Sequence, residues 1–183
     1  EGGLRVYDVT GVQTCALPIS VETREALAGL SENEIAAAAL AAETRGLDDG
    51  YVLPLLNTSG QPALASLENR ALRQRLHETS LSRGSRGGEF DNREVLTRVV
   101  LLRAQRAQML GYADHATYVL EDQTALTPEA VNERLASLAP PAVANARREA
   151  ADLQALIDSE SGDFQLESWD WSYYTEKVRQ ARY

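Results

Sequence analysis

The sequence predicts a mostly α fold with one short β element. Three observations predict it. Apolar residues recur at helical spacing along most of the chain, as in Trp171, Tyr174, Val178 and Ala181. Cap-type residues and glycines cut the chain into helices joined by short connections. Only residues 51–56, Y-V-L-P-L-L, combine β-forming residues with flanking turn signals.

Residues 9–20 read V-T-G-V-Q-T-C-A-L-P-I-S. That string resembles the in-frame translation of a common short-read sequencing adapter. Composition also breaks at Ser20, with helix formers beginning at Glu22. The expected organisation is therefore a foreign segment over 1–20 and a partial helical region over 21–183. The single cysteine, Cys15, falls in the foreign segment, so 21–183 has no thiol for a disulfide or a metal.

Residues 22–30 read as a short helical tail. Ser31-Glu32-Asn33-Glu34 is a capping box opening an Ala-rich helix that runs to Arg45 and stops at Gly46. Asp48-Asp49-Gly50 is a turn. In the strand candidate that follows, Pro54 cannot donate to a ladder and belongs at an edge or bulge. Residues 57–60, N-T-S-G, turn the chain; Asn57 also fits a glycosylation sequon. Pro62 then suits a first helical position, and Leu64, Leu67, Ala71 and Leu76 supply the stripe of a helix fading into the loop 82–88. Arg83 and Arg86 in that loop are candidates to meet an anion, against the reading of a plain surface loop.

Asp91-Asn92-Arg93-Glu94 reads as a second capping box. The helix after it carries Val95, Val99, Leu102 and Met109 and ends at Gly111. Asp114 caps a short helix through Tyr118 and Leu120. Thr127-Pro128-Glu129 opens the longest helix, which Pro140-Pro141 should kink and Gly162 ends. Residues 167–183, E-S-W-D-W-S-Y-Y-T-E-K-V-R-Q-A-R-Y, hold both tryptophans and three of the seven tyrosines. Asp170 can cap this last helix, and Lys177, Arg179 and Arg182 sit toward its negative end. Tyr183 arrives without Gly, Asn or Pro to close the helix, which reads as a cut end.

Composition narrows the function classes. The chain of 183 residues has net charge −9, from 27 acidic and 18 basic residues, with no run of Lys or Arg, so no nucleic-acid partner is expected. No apolar run reaches the roughly 20 residues of a membrane span, and no membrane partner is expected. A cytoplasmic location is favoured over a periplasmic one.

Chemistry-bearing residues are sparse. His77-Glu78-Thr79-Ser80-Leu81 begins like a zinc-peptidase H-E-x-x-H helix, but Leu81 stands where the second His must share the metal. His77 then reads as a helix-surface residue and His115 as a first-turn residue. Glu121-Asp122 and Asp48-Asp49 are neighbours in sequence and do not face each other on a helix. Tyr173 and Tyr174 are candidates for a peptide-contacting surface, with core packing as the plainer reading.

Several stretches together carry a resemblance: G-Y-V-L-P-L-L-N-T over 50–58, L-G-Y over 110–112, and Trp169-Asp170 followed by Tyr173-Tyr174, Lys177 and Arg179. Residues 21–183 resemble an internal fragment of a bacterial peptidyl-dipeptidase (dipeptidyl carboxypeptidase), in the neurolysin/thimet-oligopeptidase-like family of zinc metallopeptidases. The resemblance implies a two-lobed, mostly helical parent enzyme that removes C-terminal dipeptides from short peptides. It also implies zinc held by an H-E-x-x-H helix that lies beyond the matched stretch. No residue here takes a catalytic, cofactor-binding or metal-binding role by transfer, and the fragment alone is expected to bind no zinc and to be inactive. Which of Tyr173 and Tyr174 would line a substrate channel stays open. A stand-alone helical interaction module and an enzyme of another class are the other readings.

Overall fold

The computed structural model describes residues 18–47, 49–56, 60–88 and 90–182. They fall into two compact units. The first comprises the described residues up to Phe90 together with those from Asp152 onward; the second runs from Asp91 to Ala151.

The first unit begins with β1 (Ile19–Val21), followed by a 3-10 turn at Glu25–Leu27, α1 (Glu32–Glu43) and β2 (Tyr51–Leu53). The strands pair antiparallel, with Ile19 opposite Leu53 and Val21 opposite Tyr51. The apolar-polar-apolar alternation of Ile19-Ser20-Val21 matches the period of two that a half-buried strand needs. β1 therefore straddles the boundary drawn at residue 20, and the helical tail expected over 22–30 is only the single 3-10 turn. β2 is shorter than expected because Pro54 follows Leu53 directly and has no N–H for a further rung.

The Ser31 capping box forms as read. The Glu34 N–H donates to Ser31 Oγ at 3.3 Å, and the Ser31 N–H donates to a Glu34 carboxylate oxygen at 2.9 Å. Ile35 and Ala38 of α1 join Ile19, Leu27, Leu53 and Leu67 in one apolar cluster.

The helix expected from Pro62 onward is two elements. Pro62–Ala65 is a 3-10 turn, and α2 (Arg70–Leu81) starts afresh behind Asn69, whose side-chain oxygen accepts the Leu72 N–H at 3.0 Å. The gap between them has its backbone groups engaged elsewhere. The Glu68 N–H donates to Ala28 O at 2.9 Å, and Arg73 Nη1 donates to the carbonyls of Leu67 and Glu68 at 2.8 and 3.0 Å. With those groups taken, an unbroken helical ladder is not needed to satisfy them. Leu64, Leu67 and Leu76 remain in the core, but Ala71 is exposed and Leu72 takes its place.

The turn after α2 is closed by its own arginines. Arg83 Nη1 donates to Leu56 O at 2.6 Å, and Arg86 donates to Thr79 O and to Ser82 Oγ. These bonds engage both guanidiniums with chain carbonyls and a hydroxyl, where the sequence offered an anion. Gln61 is buried and bridges the Leu56 N–H, the Leu56 carbonyl and Ser80 Oγ. Asp48 and the sequon residue Asn57 lie outside the described residues.

The second unit holds α3 (Arg93–Met109), α4 (His115–Leu120) and most of α5 (Pro128–Ser159), whose last turns, from Asp152, belong to the first unit. The capping box expected at Asp91 does not form: the Asn92 side chain accepts no cap bond, and Asp91 is drawn into an ion pair with Arg93 at 2.6 Å. Asp114 does cap α4, accepting the Thr117 N–H at 2.8 Å. Thr127 Oγ1 accepts the Ala130 N–H at 3.2 Å at the start of α5, and α5 runs through Pro140 and Pro141 as one helix. Tyr112 and Tyr118 meet edge to face at 5.2 Å, with Arg106 over the Tyr118 ring at 4.9 Å. Val95, Leu96, Leu101 and Met109 of α3 are all exposed. No described helix is long and apolar enough to cross a membrane.

Candidate functional site

α6 (Trp171–Arg182) completes the first unit and carries the aromatic stretch. The chain reaches it through a pinned connection. Gly162 follows α5 where a Cβ would lie 2.7 Å from Ile157 Cγ2. Gln154 then fixes residues 164–166, donating to Phe164 O at 3.1 Å and accepting the Leu166 N–H at 2.7 Å. Tyr174 packs with Leu153 and Ile157 of α5, and Phe164, Leu166, Trp171, Tyr173 and Val178 surround them.

Asp170 departs from the expected helix cap. Its carbonyl accepts the Tyr174 N–H at 3.0 Å, but its carboxylate turns into the interior and is fully buried. Arg73 Nη2 donates to Oδ1 at 2.8 Å, and Arg70 donates through Nε at 3.1 Å to both oxygens and through Nη2 to Oδ2 at 2.9 Å. The Glu167 N–H adds a bond to Oδ2 at 3.2 Å. Arg73 is itself buried, while the Arg70 side chain keeps 34% of its surface exposed. Arg70 stacks over Phe164 at 4.2 Å, and Arg73 over Tyr173 at 4.3 Å. The sequence reading missed both arginines. The signal was an arginine inside the apolar run Leu72, Leu76, three residues from a second one, where a buried cation demands an acid.

The two tyrosines separate cleanly. Tyr174 is 6% exposed, and burial foremost, with Glu160 adding, raises its phenol above the ordinary value. Tyr173 is half-buried, with Arg73 on its ring at 4.3 Å and Lys177 at 5.3 Å. Burial pushes the Lys177 ammonium down, but the Glu160 carboxylate 2.6 Å away and the tyrosines outweigh it and leave it raised. Arg179, and Gln180 beside it, hold the Glu176 carboxyl down at about 2.

His77 is not the surface residue expected. It is half-buried with its ring edge-on to Trp169 at 6.4 Å, and neither His77 Nε2 nor Trp169 Nε1 has a partner among the described residues. His115 stands in the first turn of α4, as expected, and belongs to the other unit. Among the described residues no group of three or more His, Cys, Asp or Glu is gathered to hold a metal.

The aromatic helix and its arginine partners lie within the part of the chain that known sequences share. The profile of peptidase family M3 matches residues 63–183. The chain belongs to peptidase family M3. This is a family of metallopeptidases. Arg70, Arg73 and Asp170 all fall inside the M3 match. Dipeptidyl carboxypeptidase of Escherichia coli is 42% identical over 157 residues, which is 86% of this chain and 23% of that protein. The Salmonella typhimurium dipeptidyl carboxypeptidase is 38% identical over 165 residues, 90% of this chain and 24% of that protein. Oligopeptidase A of Escherichia coli is 35% identical over 161 residues, 86% of this chain and 24% of that protein. The chain thus spans about a quarter of the length of these M3 relatives.

Proposed function

We propose that this chain is a non-catalytic wall of an M3 peptidase whose full-length form removes C-terminal dipeptides from short peptides with the help of zinc. The observation that carries the reading is the identity to dipeptidyl carboxypeptidase, 42%, against 35% to oligopeptidase A over a stretch of similar length. Zinc would be held by parts of the parent not aligned with these residues, since Leu81 replaces the second histidine that the His77-Glu78 start would need. This chain's contribution is structural: α5 and α6 build an aromatic-lined surface whose half-buried residue, Tyr173, is available to touch a peptide while Tyr174 serves the core.

The test is a peptidase assay on the 183-residue chain with short blocked peptides and added zinc. No dipeptide release is expected. Release that a chelator abolishes would overturn the reading. The companion observation is the coding sequence beyond Tyr183, which is expected to read into an H-E-x-x-H helix.

A further inference from the structure

We infer that Arg70, Arg73 and Asp170 form a latch joining two separately folded parts of the first unit, and that it opens while the strand-and-helix part stays folded. The inference rests on how the parts meet and stands apart from the peptidase reading.

The first unit has two apolar clusters with no residue in common. One gathers residues of β1, β2, α1 and α2, and the other gathers the end of α5, residues 164–166 and α6. Between α2 and the chain around the second cluster the contacts include cations on rings, one buried carboxylate, a hydrogen bond from Arg70 Nη2 to Gln165 O at 3.3 Å and the edge-on pair of His77 with Trp169. Arg70 lies over Phe164 and, at 5.6 Å, over Trp169; Arg73 lies over Tyr173. The 3-10 turn Pro62–Ala65 also rests against α6.

Such a join is held by geometry more than by area. Removing charges from water is costly, and the cost is recovered only while the hydrogen bonds are in place. Here two guanidiniums face one carboxylate, and Arg73 Nε has no partner among the described residues. The positive charge is therefore in excess, and a partly opened latch strands a buried arginine. The stable states are closed and fully open, with water admitted from the Arg70 side, where the surface is exposed. Regions held by few apolar contacts open at lower free energy than the core beside them.

Amide hydrogen exchange on the 183-residue chain tests this. In the unsubstituted chain, residues 163–175 are expected to exchange faster than residues 32–43 of α1. Arg70→Gln leaves the Arg73–Asp170 pair in place and so does not create an orphaned buried charge. It should speed exchange over 163–175 by about tenfold or more, the size of a lost bond to a buried charge, and leave 32–43 unchanged. Asp170→Asn should do the same more strongly; if that variant fails to fold, Arg70→Gln decides. A common rise in both segments would show one cooperative unit and overturn the latch. So would unchanged exchange in Arg70→Gln, or an α1 already unprotected in the unsubstituted chain.

Discussion

Glu34 shows how much one side chain can set. Hydrogen bonds from the Ser31 hydroxyl and N–H hold its carboxyl below the ordinary 4.5. A carboxyl lowered in the folded state contributes stability above its unfolded value, and that contribution is lost as pH falls through the lowered one. Acid titration followed by circular dichroism should therefore show α1 weakening below about pH 4.5, and Glu34→Gln should remove that part of the pH dependence. Ser31→Ala should cost about 1 kcal/mol in urea denaturation. Gly29 is the other decisive position. Its φ is +92°, and a Cβ there would lie 1.9 Å from Ser66 O. Gly29→Ala should lower stability by more than about 1 kcal/mol, read from the urea midpoint. At this scale the sequence was legible wherever a side chain bonds to its own backbone, as Ser31, Asp114 and Thr127 do. It was illegible at Arg73, whose acid partner lies 97 residues away.

The elements were legible in kind and less so in extent. The 62–81 stretch keeps its apolar period, so periodicity alone predicts one helix. The break is set by Ala28, from outside the stretch, and by the Arg73 side chain, which together take backbone groups of residues 67 and 68. α5 illustrates the opposite case, where a uniform helical stripe meets two environments. Ile157 is fully buried near its end, while Val143 is 48% exposed. Ile157→Ala should cost about 2–5 kcal/mol. Val143→Ala should stay within about 0.5 kcal/mol. Comparable losses at both sites in chemical denaturation would contradict this arrangement.

For the whole molecule, family membership was legible from the Trp169-Asp170 and Tyr173-Tyr174 pattern, whose residues pack or pair in the fold. The site was less so: Arg70, Arg73 and Asp170 meet across about a hundred residues of sequence, a separation that local pattern does not reveal. The second unit leaves Leu96, Leu101 and Met109 exposed, the last at 87%. Large apolar side chains left exposed on one helix favour association. Sedimentation should show mass rising with protein concentration, and Leu101→Glu with Met109→Glu should reduce it.

The separation between Arg73 and Asp170 also orders events at the ribosome. A chain growing at about 5–20 residues per second needs about 5–20 s to pass from one to the other. Through that interval Arg70 and Arg73 have been translated and their acid has not. The nascent N-terminal part must hold two cations in water until the aromatic stretch arrives, and burial of Arg73 marks the moment at which the first unit is completed.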